Sequence, residues 1–246
     1  MDKKTETLIK LKEFREIYAL ISPLTKNPYI VCNPETFDDE VYVFYKEDAA
    51  KVEMENLRRK MQPVQVVRID QKARLGYFIN LLTIGANAIV VNKNRDTEIS
   101  VQVNELVKKK IETDDEKKQP IENPELHLTA LYFMQELRRG TKAEMTQELK
   151  ELYEEMIAHL QKGRFILPVK EDKQLILLKQ KDDRIFVPIF TDIQEFTRFL
   201  QTRKGEVIQP MVVQADKLPG FVKDSIAGVV LNPFGVNVPI AMTMKK

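Results

Sequence analysis

The sequence predicts an α+β protein built from two similar modules, each a small mixed β-sheet with flanking helices, joined by a charged linker. Three observations lead to this fold class. Short β-rich runs alternate with segments of helical periodicity, the same order of elements occurs twice, and a run of charged residues separates the two occurrences. We expect a diverged module over residues 1–107, a linker over 108–122 and a second module over 123–246.

The second module gives the clearest strand signals. Its β-branched and aromatic residues concentrate in short runs between charged or glycine-containing turns, a pattern typical of strands. These runs are Arg164–Val169, Gln174–Lys179, Arg184–Phe190, Val207–Val213, Gly228–Leu231 and Val236–Ile240. Thr191–Gln194 has the S/T-x-x-E/Q form of a capping box and predicts the start of a helix, which Gly205 ends. A short helix is expected over Asp216–Ser225.

Further helices are expected before the strands of each module. Thr7–Tyr18 predicts the opening helix of the first module. In the second, Asn123 as N-cap and Pro124 as first helical residue begin a helix that ends at Arg138–Gly140. Ala143–Leu160 then forms a helix with one apolar face. That face consists of Met145, Leu149, Leu152, Met156 and Leu160. If it is exposed, it indicates a scaffold protein or a homo-oligomer.

The first half of the chain follows the second in the order of its elements. Asp48 falls at the position of Asp192, at the entry to the helix that follows the third strand. Asn92 and Asn232 end the corresponding buried strands. These matches favour a tandem repeat. The alternative is that any two α/β segments can be aligned in this way.

Composition limits the classes of partner. Lys and Arg number 39 and Asp and Glu 37, so the formal charge of +2 argues against a nucleic-acid-binding protein, which needs a basic surplus. The basic clusters Arg58–Lys60, Lys108–Lys110 and Arg138–Arg139 are expected to be solvated. A single Cys excludes a disulfide framework within the chain, and two His are too few for a typical structural zinc site.

No membrane partner is expected. The longest nearly apolar run, Leu81–Val91, has 11 residues, whereas a membrane-spanning helix needs about 20. Met1–Lys12 alternates charged and apolar residues and lacks the apolar region of a secretory signal. We therefore expect a cytoplasmic protein.

Catalytic chemistry has little support in the sequence. A nucleophilic Cys32 would need His127 or His159 as its base, but Cys32 ends an apolar strand and is expected to be a buried thiol. Both histidines lie near the ends of predicted helices, where they are expected to act as caps. The 8 glycines form no G-x-G or G-K-[ST] loop, so no nucleotide cofactor is expected. We expect no enzyme and no cofactor.

Adjacent carboxylates occur at several places along the chain. These pairs are Asp38–Asp39, Asp114–Asp115, Glu154–Glu155 and Asp182–Asp183. The first and last precede corresponding strands in the two halves, where Asp side chains bond to the local backbone of a turn. A carboxylate metal site is the alternative, but no third ligand type accompanies the pairs, and we expect no metal.

The best candidates for ligand binding are Asn92, Asn232 and Phe234. Ligands in α/β sheets tend to lie beyond the carboxyl ends of the strands, where both asparagines are placed. The segment Asn232–Gly235 supplies a turn, an amide and an aromatic ring. The alternative is an Asn-Pro turn with Phe234 packed inward.

Three segments of the second half carry a resemblance to a known family. Phe186–Asp192 (FVPIFTD), Gln209–Val213 (QPMVV) and Leu231–Gly235 (LNPFG) resemble the N-terminal domain of the SseB family, the enhanced serine sensitivity proteins. The resemblance covers about Asn123–Met242. The first half has Phe44–Glu47 (FYKE) at the position of the P-I-F-T signature and is similar only through the repeat. The resemblance implies a cytosolic bacterial protein linked to serine sensitivity, without established catalytic residues.

Two functions from different classes remain open. The first is a non-catalytic binding or adaptor protein, whose two related surfaces would take a partner protein or a small metabolite. The second is a metabolite sensor or enzyme with a small-molecule site at the strand ends near Asn92 and Asn232.

Overall fold

The computed structural model of the protein describes residues 2–108, 119–139, 145–180, 182–223 and 225–242. It contains helices and mixed β-sheets, which confirms the α+β class. The chain divides into two compact units: unit 1 comprises Met1–Glu112 and Leu131–Thr146, and unit 2 comprises Thr113–Ala130 and Gln147–Lys246. Most of the predicted linker, including Lys109, Lys110, Asp114 and Asp115, lies outside the described residues, as do Gly140 and Ala143.

Unit 1 combines a mixed sheet with helices. Its helices are α1 (Lys3–Glu13), α2 (Glu47–Arg59) and α3 (Gln71–Thr83), with a 3₁₀ turn at Val103–Glu105. Its strands are β1 (Glu16–Ser22), β2 (Asn27–Pro28), β3 (Ile30–Cys32), β4 (Asp39–Phe44), β5 (Gln65–Asp70), β6 (Ala88–Val91) and β7 (Ile99–Gln102). The next helix, α4 (Pro124–Leu137), contributes its residues up to Ala130 to unit 2 and the rest to unit 1.

The sheet of unit 1 is built around β1 and β4. β1 pairs antiparallel with β2, β4 and β5, whereas β4 pairs antiparallel with β3 and parallel with β6, which in turn pairs antiparallel with β7. Alternate residues of a strand point to opposite faces. Tyr18, Leu20 and Phe44 therefore share one face, where they form a core with Ala50 and Leu57 of α2.

Unit 2 has the same kinds of pairing. Its further helices are α5 (Gln147–Leu160) and α6 (Ile193–Gln201), with a 3₁₀ helix at Ala215–Phe221. Its strands are β8 (Arg164–Lys170), β9 (Leu178–Lys179), β10 (Ile185–Ile189), β11 (Ile208–Gln214), β12 (Gly228–Leu231) and β13 (Val238–Ala241). β8 pairs antiparallel with β11, β10 parallel with β12 and antiparallel with β9, and β12 antiparallel with β13. A bridge between Ile166 and Phe190 joins β8 to the end of β10.

Aromatic rings fill the core of unit 2 beside α6. Phe190, Phe196 and Phe199 are fully buried, and the ring centroids of the last two lie 5.5 and 5.3 Å from that of Phe190. Ile166 and Ile176 complete this cluster. Since Phe190 directly precedes Thr191, the core fixes the position at which the chain leaves β10 and enters α6.

Several predicted elements differ from the structure for identifiable reasons. Of the run Gln174–Lys179, only Leu178–Lys179 is a strand, because Pro168 accepts a hydrogen bond from the Ile176 N–H but has no N–H to return. The short helix predicted over Asp216–Ser225 is a 3₁₀ helix at Ala215–Phe221 that contains Pro219, whose ring cannot continue an α-helix.

Several helix boundaries also differ from the predicted ones. α1 ends at Glu13, and Tyr18 belongs to β1 because its ring packs on the face that α2 covers. Asp192 caps α6 in place of Thr191. Asp48 is the second residue of α2, and the N-cap is Lys46.

The apolar face predicted on Ala143–Leu160 lies in the core. α5 begins at Gln147, and its Leu149, Met156 and Leu160 are buried, whereas Met145 precedes the helix and is exposed. This face therefore does not provide the exposed surface that the scaffold or oligomer hypothesis required.

We expect Gly228→Ala to lower the free energy of unfolding by about 3 kcal/mol. Gly228 has a φ of +147°, and a Cβ there would lie 2.1 Å from the carbonyl oxygen of Ile240 in β13. Urea denaturation followed by circular dichroism measures the change. Gly76→Ala is the matched control, because a Cβ at Gly76 meets open space in the middle of α3. It should raise the free energy of unfolding by about 1 kcal/mol. Equal effects of both variants would contradict the proposed clash.

Candidate functional site

Two of the motifs singled out in the second half meet in a buried polar cluster of unit 2. We call this cluster the Thr191 network; it consists of His127, Thr191, Asp192, Glu195 and Asn232. All five residues are buried, so their polar atoms depend on protein groups rather than on water for hydrogen bonds.

Asn232 connects the ends of the parallel strands β10 and β12. Its backbone N–H donates to the carbonyl of Ile189 at 2.9 Å, and its φ of 44° lies in the left-handed region that Asn tolerates better than most residues. The side-chain Oδ1 accepts from the Thr191 N–H at 3.0 Å, and Nδ2 donates to the Thr191 Oγ1 at 2.8 Å. The Asn232 amide thus supplies hydrogen bonds between the two segments that continue from β10 and β12.

Asp192 connects the network to α6. Its Oδ1 accepts from the N–H groups of Gln194 and Glu195, both at 2.9 Å, which caps the helix. Its Oδ2 accepts from the Thr191 hydroxyl at 2.7 Å and lies 3.3 Å from the His127 Nδ1. Burial alone would raise the pKa of Asp192, but the His127 imidazole and the Thr191 hydroxyl outweigh it and hold that pKa below its ordinary value.

The segment after Asn232 fits against Glu195. The Glu195 Oε1 accepts from the Arg198 Nη1 at 2.6 Å and lies 3.9 Å from the His127 Nε2. A Cβ at Gly235 would lie 2.6 Å from the Glu195 Oε2, so only glycine fits there without a shift of that carboxylate. Phe234 packs with its ring centroid 5.9 Å from that of Phe199, as the inward alternative predicted.

This geometry explains the motifs as parts of the fold. Asn232 is 0% exposed, and both polar atoms of its amide bond to Thr191. In this arrangement a ligand in solvent has no access to the amide. A direct role of Asn232 and Phe234 in ligand binding therefore stays a prediction, and it requires the segment to move.

Asn92 forms a similar connection in unit 1. Its N–H donates to the carbonyl of Val43 at 2.8 Å, its φ is 55°, and its Oδ1 accepts from the Tyr45 N–H at 3.4 Å. Its Nδ2 donates to the Thr97 Oγ1 at 3.0 Å. In contrast to Asn232, the Asn92 side chain is only half-buried and borders a cleft.

We call this space the Asn92 cleft; its volume is about 740 Å³. It lies at the carboxyl ends of the parallel strands β4 and β6, where Tyr45 and Asn92 follow. Its lining residues are Phe14, Tyr45, Lys46, Asp48, Ala49, Val52, Asn92, Arg95, Asp96 and Thr97. The cleft therefore lies beside Asn92, and the ligand site proposed at that strand end stays a prediction.

The cleft has an aromatic and aliphatic floor. The rings of Phe14 and Tyr45 stack with their centroids 4.6 Å apart and their planes at 26°. The Tyr45 hydroxyl donates to the Thr7 carbonyl at 3.4 Å, and burial raises the pKa of Tyr45 to about 12, so the ring is uncharged at neutral pH. Ala49 and Val52 of α2 extend the apolar surface.

Charged residues of both signs line the rim of the cleft. Lys46 and Asp48 lie at the start of α2, and Arg95 and Asp96 lie in the loop after β6. All four side chains are exposed, and within the described part of the chain none of them forms an ion pair. They are available to charges on a bound molecule.

The cysteine and the histidines considered as catalytic candidates lie apart from one another in sequence and differ in burial. Cys32 is exposed, so the buried thiol predicted from its position is wrong. It borders a hollow of about 260 Å³, and partial burial, with Asp39 and Glu40 nearby, raises the pKa of its thiol. His127 is part of the Thr191 network, whereas His159 lies in the last turn of α5, where its Nε2 is 3.4 Å from the Glu155 Oε1.

Of the carboxylate pairs predicted to bond the local backbone of a turn, Asp182 does so, because its Oδ1 accepts from the Arg184 N–H at 3.2 Å. Asp38 and Asp39 instead bond to residues far along the chain, since Asp38 accepts from Gln102 and Asp39 accepts from the Tyr132 hydroxyl at 2.6 Å. Among the described residues, no group of three or more His, Cys, Asp or Glu is arranged to hold a metal ion. In the same part of the chain, no helix has the length and apolar character needed to cross a membrane.

The cleft could not be predicted from local sequence signals, because the floor of the cleft comes from three separate segments, the end of α1, the end of β4 and α2. A signal was nevertheless present in the comparison of the two halves. The bonds from Asn92 to Val43 and from Asn232 to Ile189 put Tyr45 and Lys46 at the places of Thr191 and Asp192, two residues away from the sequence match of Asp48 with Asp192. This change puts an aromatic ring and a cation at the corresponding strand end.

We expect Asn232→Ala to lower the free energy of unfolding by about 3 kcal/mol, because it leaves buried groups of Thr191 without partners and puts Ala at a left-handed φ. Asn92→Ala also puts Ala at a left-handed φ, but it should cost only about 1–2 kcal/mol, since the bond to Tyr45 is long and the side chain is partly solvated. Urea denaturation measures both. Equal losses would contradict the assignment of Asn232 to a buried connection.

The lowered pKa of Asp192 predicts a pH dependence. A carboxyl whose pKa is lower in the folded than in the unfolded state contributes stability above the unfolded pKa, and the contribution is lost as pH falls. Asp192→Asn should therefore cost about 1–2 kcal/mol at pH 7, and the difference from wild type should shrink below about pH 4. Urea denaturation across this range tests it. A difference that stays constant to the lowest pH would exclude the ionised Asp192 as its source.

Comparison with known proteins gives one family match. Residues 143–244 match the family model of the SseB protein N-terminal domain. No curated protein matches the chain.

Two solved structures are similar over most of the chain at low scores. Tic22 of Anabaena, described as a protein transport protein, is 11% identical over 93% of this chain and 92% of that chain, with a TM-score of 0.24. Tic22 from Plasmodium falciparum is 15% identical over 91% and 90%, with a TM-score of 0.23. Scores this low support no inference about the present chain. The family match supports the resemblance to SseB proteins for the second half of the chain.

Proposed function

We propose that this chain is a non-catalytic binding or adaptor protein, and that the Asn92 cleft receives an apolar side chain of a partner protein. The observation that carries this proposal is the cleft itself. It combines an aromatic floor that is open to solvent with rim charges of both signs that form no ion pair with any residue the structure describes.

The exposure of the floor favours a protein partner. Phe14 is 39% and Val52 is 49% exposed, although both line one cleft. Single exposed apolar residues are ordinary, but apolar side chains that line a common cleft are typical of an interaction site. Energetically important contacts in protein interfaces are apolar or aromatic anchors in such pockets, surrounded by polar residues. Lys46, Asp48, Arg95 and Asp96 would form that polar surround.

The contrast between the two asparagines supports the choice of unit 1. In unit 2, Thr191, Asp192 and His127 occupy the strand end with buried hydrogen bonds. In unit 1, the strand end beside Asn92 is bordered by solvent. We therefore assign binding to the Asn92 cleft and a structural role to the Thr191 network.

We further propose that the chain is a tandem repeat. Two sets of matching contacts support it. Asn92 and Asn232 donate to Val43 and Ile189 at the ends of β4 and β10, and their amides accept from the second residue after each of these. The pairing of β1 with β5, and of β4 with β3 and β6, also has its counterpart in unit 2.

A metabolite sensor is the second candidate. One observation favours it: the Asn92 cleft lies beyond the carboxyl ends of parallel strands, and its volume is within the range of about 300–1,000 Å³ seen for small-molecule sites. The link to serine sensitivity and the cytoplasmic location are further predictions that follow from the SseB resemblance.

We expect Val52→Glu to weaken the binding of apolar peptides at least tenfold, because it puts a charge on the floor of the cleft. Val207→Glu is the matched control, since Val207 is an exposed valine of unit 2 outside the cleft. A peptide array of apolar sequences, followed by titration of the peptides that bind, measures the effect. Equal binding by wild type and Val52→Glu would place the binding surface elsewhere.

A thermal-shift screen with millimolar metabolites, serine among them, tests the second candidate. A metabolite at about 100 times its dissociation constant stabilises the fold by about 2.7 kcal/mol. A stabilising metabolite whose effect is lost in Val52→Glu, together with no binding to the peptide array, would replace the protein-binding proposal with the sensor.

A further inference from the structure

β5 lies at an edge of the sheet of unit 1 and is accessible. Within the described residues it pairs only with β1. Gln65, Val67 and Arg68 are exposed, and Val66 is half-buried against the core beneath α2. Unpaired backbone groups along an edge strand can hydrogen-bond with a further strand.

The register shows which backbone groups of β5 face outward. The Leu20 carbonyl accepts from the Tyr29 N–H, so the backbone of Leu20 points away from β5. Val66 lies opposite Leu20, and Arg68 lies opposite Tyr18, which precedes Leu20 by two residues. In an antiparallel pair, residues at such positions do not hydrogen-bond to each other. The N–H and C=O groups of Val66 and Arg68 therefore point outward from the sheet.

The corresponding edge in unit 2 is different. The Pro168 carbonyl accepts from the Ile176 N–H, as the Leu20 carbonyl accepts from Tyr29, and Pro168 lies opposite Pro210 of β11. Pro210 thus has the position in β11 that Val66 has in β5. Proline has no N–H and is a common means of protecting an edge strand. Two edges with matching registers therefore differ in their capacity to pair.

We propose that β5 pairs antiparallel with β5 of a second copy of this chain, around a two-fold axis at Val67. In this register Val66 of each copy lies opposite Arg68 of the other. Each of these two pairs exchanges both N–H···O bonds, because Val66 and Arg68 have outward-facing backbone groups. The same surface serves both copies, as a two-fold interface requires.

The side chains suit this register. Val67 is 40% exposed and would face Val67 of the second copy, so an apolar contact forms at the axis. Arg68 would face Val66 rather than another charge, and its guanidinium already lies 3.4 Å from the Glu16 carboxylate of its own sheet. The formal charge of +2 causes little repulsion between copies.

Exposed apolar residues continue from β5 onto α3, which directly follows it. Leu75 and Ile79 are one helical turn apart and exposed. They extend the apolar surface beyond the strand itself, which a stable dimer needs, since one strand pair buries little area. This surface shares no residue with the Asn92 cleft, so the dimer and the proposed binding function can fail independently.

Sedimentation of the full chain over a concentration series tests the proposal by comparing the dimer dissociation constants of wild type and Val66→Pro. The outward N–H of Val66 has no partner within the sheet, so proline there should leave β1 and β5 paired, as Pro210 does in unit 2. Wild type should sediment as a dimer, and the dissociation constant of Val66→Pro should rise at least tenfold. Val212→Pro is the matched control, because the backbone N–H of Val212, like the backbone of Pro210, points outward from the edge of β11. It should remain dimeric.

Two further variants make the test independent of the folding of Val66→Pro. Val67→Glu puts two carboxylates at the axis without changing the backbone, and should also give monomers. In a Cys32→Ser background, Val67→Cys should form an intermolecular disulfide on oxidation, since directly opposed non-hydrogen-bonded residues have the required Cα separation. Val212→Cys should not. A monomeric wild type, a Val67→Glu variant that stays dimeric, or absence of the Val67→Cys crosslink would overturn the proposal.

Discussion

The structure depends on one hydrogen-bonding problem, which arises where two parallel strands end side by side. Beyond Ile189 and Leu231 the ladder of backbone hydrogen bonds stops, although the two segments are still buried and their polar groups need partners. The Asn232 amide meets this need, since its oxygen accepts from the Thr191 N–H and its nitrogen donates to the Thr191 hydroxyl. The neighbouring contacts, from Asp192 to α6 and from Glu195 to Gly235, are built next to this connection.

Unit 1 meets the same problem with different residues, and the difference creates a surface. Asp192 caps α6 with its carboxylate, but Lys46 at the start of α2 has no acceptor to offer and extends into solvent. Tyr45 follows Val43 by two residues, as Thr191 follows Ile189, but its ring stacks on Phe14 rather than joining a polar network. A buried cluster in one unit thus corresponds to an open apolar cleft in the other.

Much of the fold could be predicted from local sequence signals. The strands β8, β10, β11 and β12 and the helix α4 agree closely with the β-rich runs and with the Asn123-Pro124 helix start. Two of the failures share a cause, because each depends on a residue outside the segment concerned. The strand predicted around Ile176 is interrupted by Pro168 of the neighbouring strand, and the exposure of Cys32 depends on what covers the end of β3. The asparagines were located correctly, but an amide at a strand end suits a ligand and a neighbouring backbone equally well.

Pro210 has a consequence for assembly that extends beyond unit 2 itself. If its edge were open like that of β5, then β5 of one copy could pair with β11 of the next. Such head-to-tail contacts close into a ring only if the rotation between copies allows it, and otherwise they add copies without limit. A residue that lacks one N–H, opposite Pro168, disfavours that route, whereas the pairing of β5 with β5 of a second copy stops at two copies.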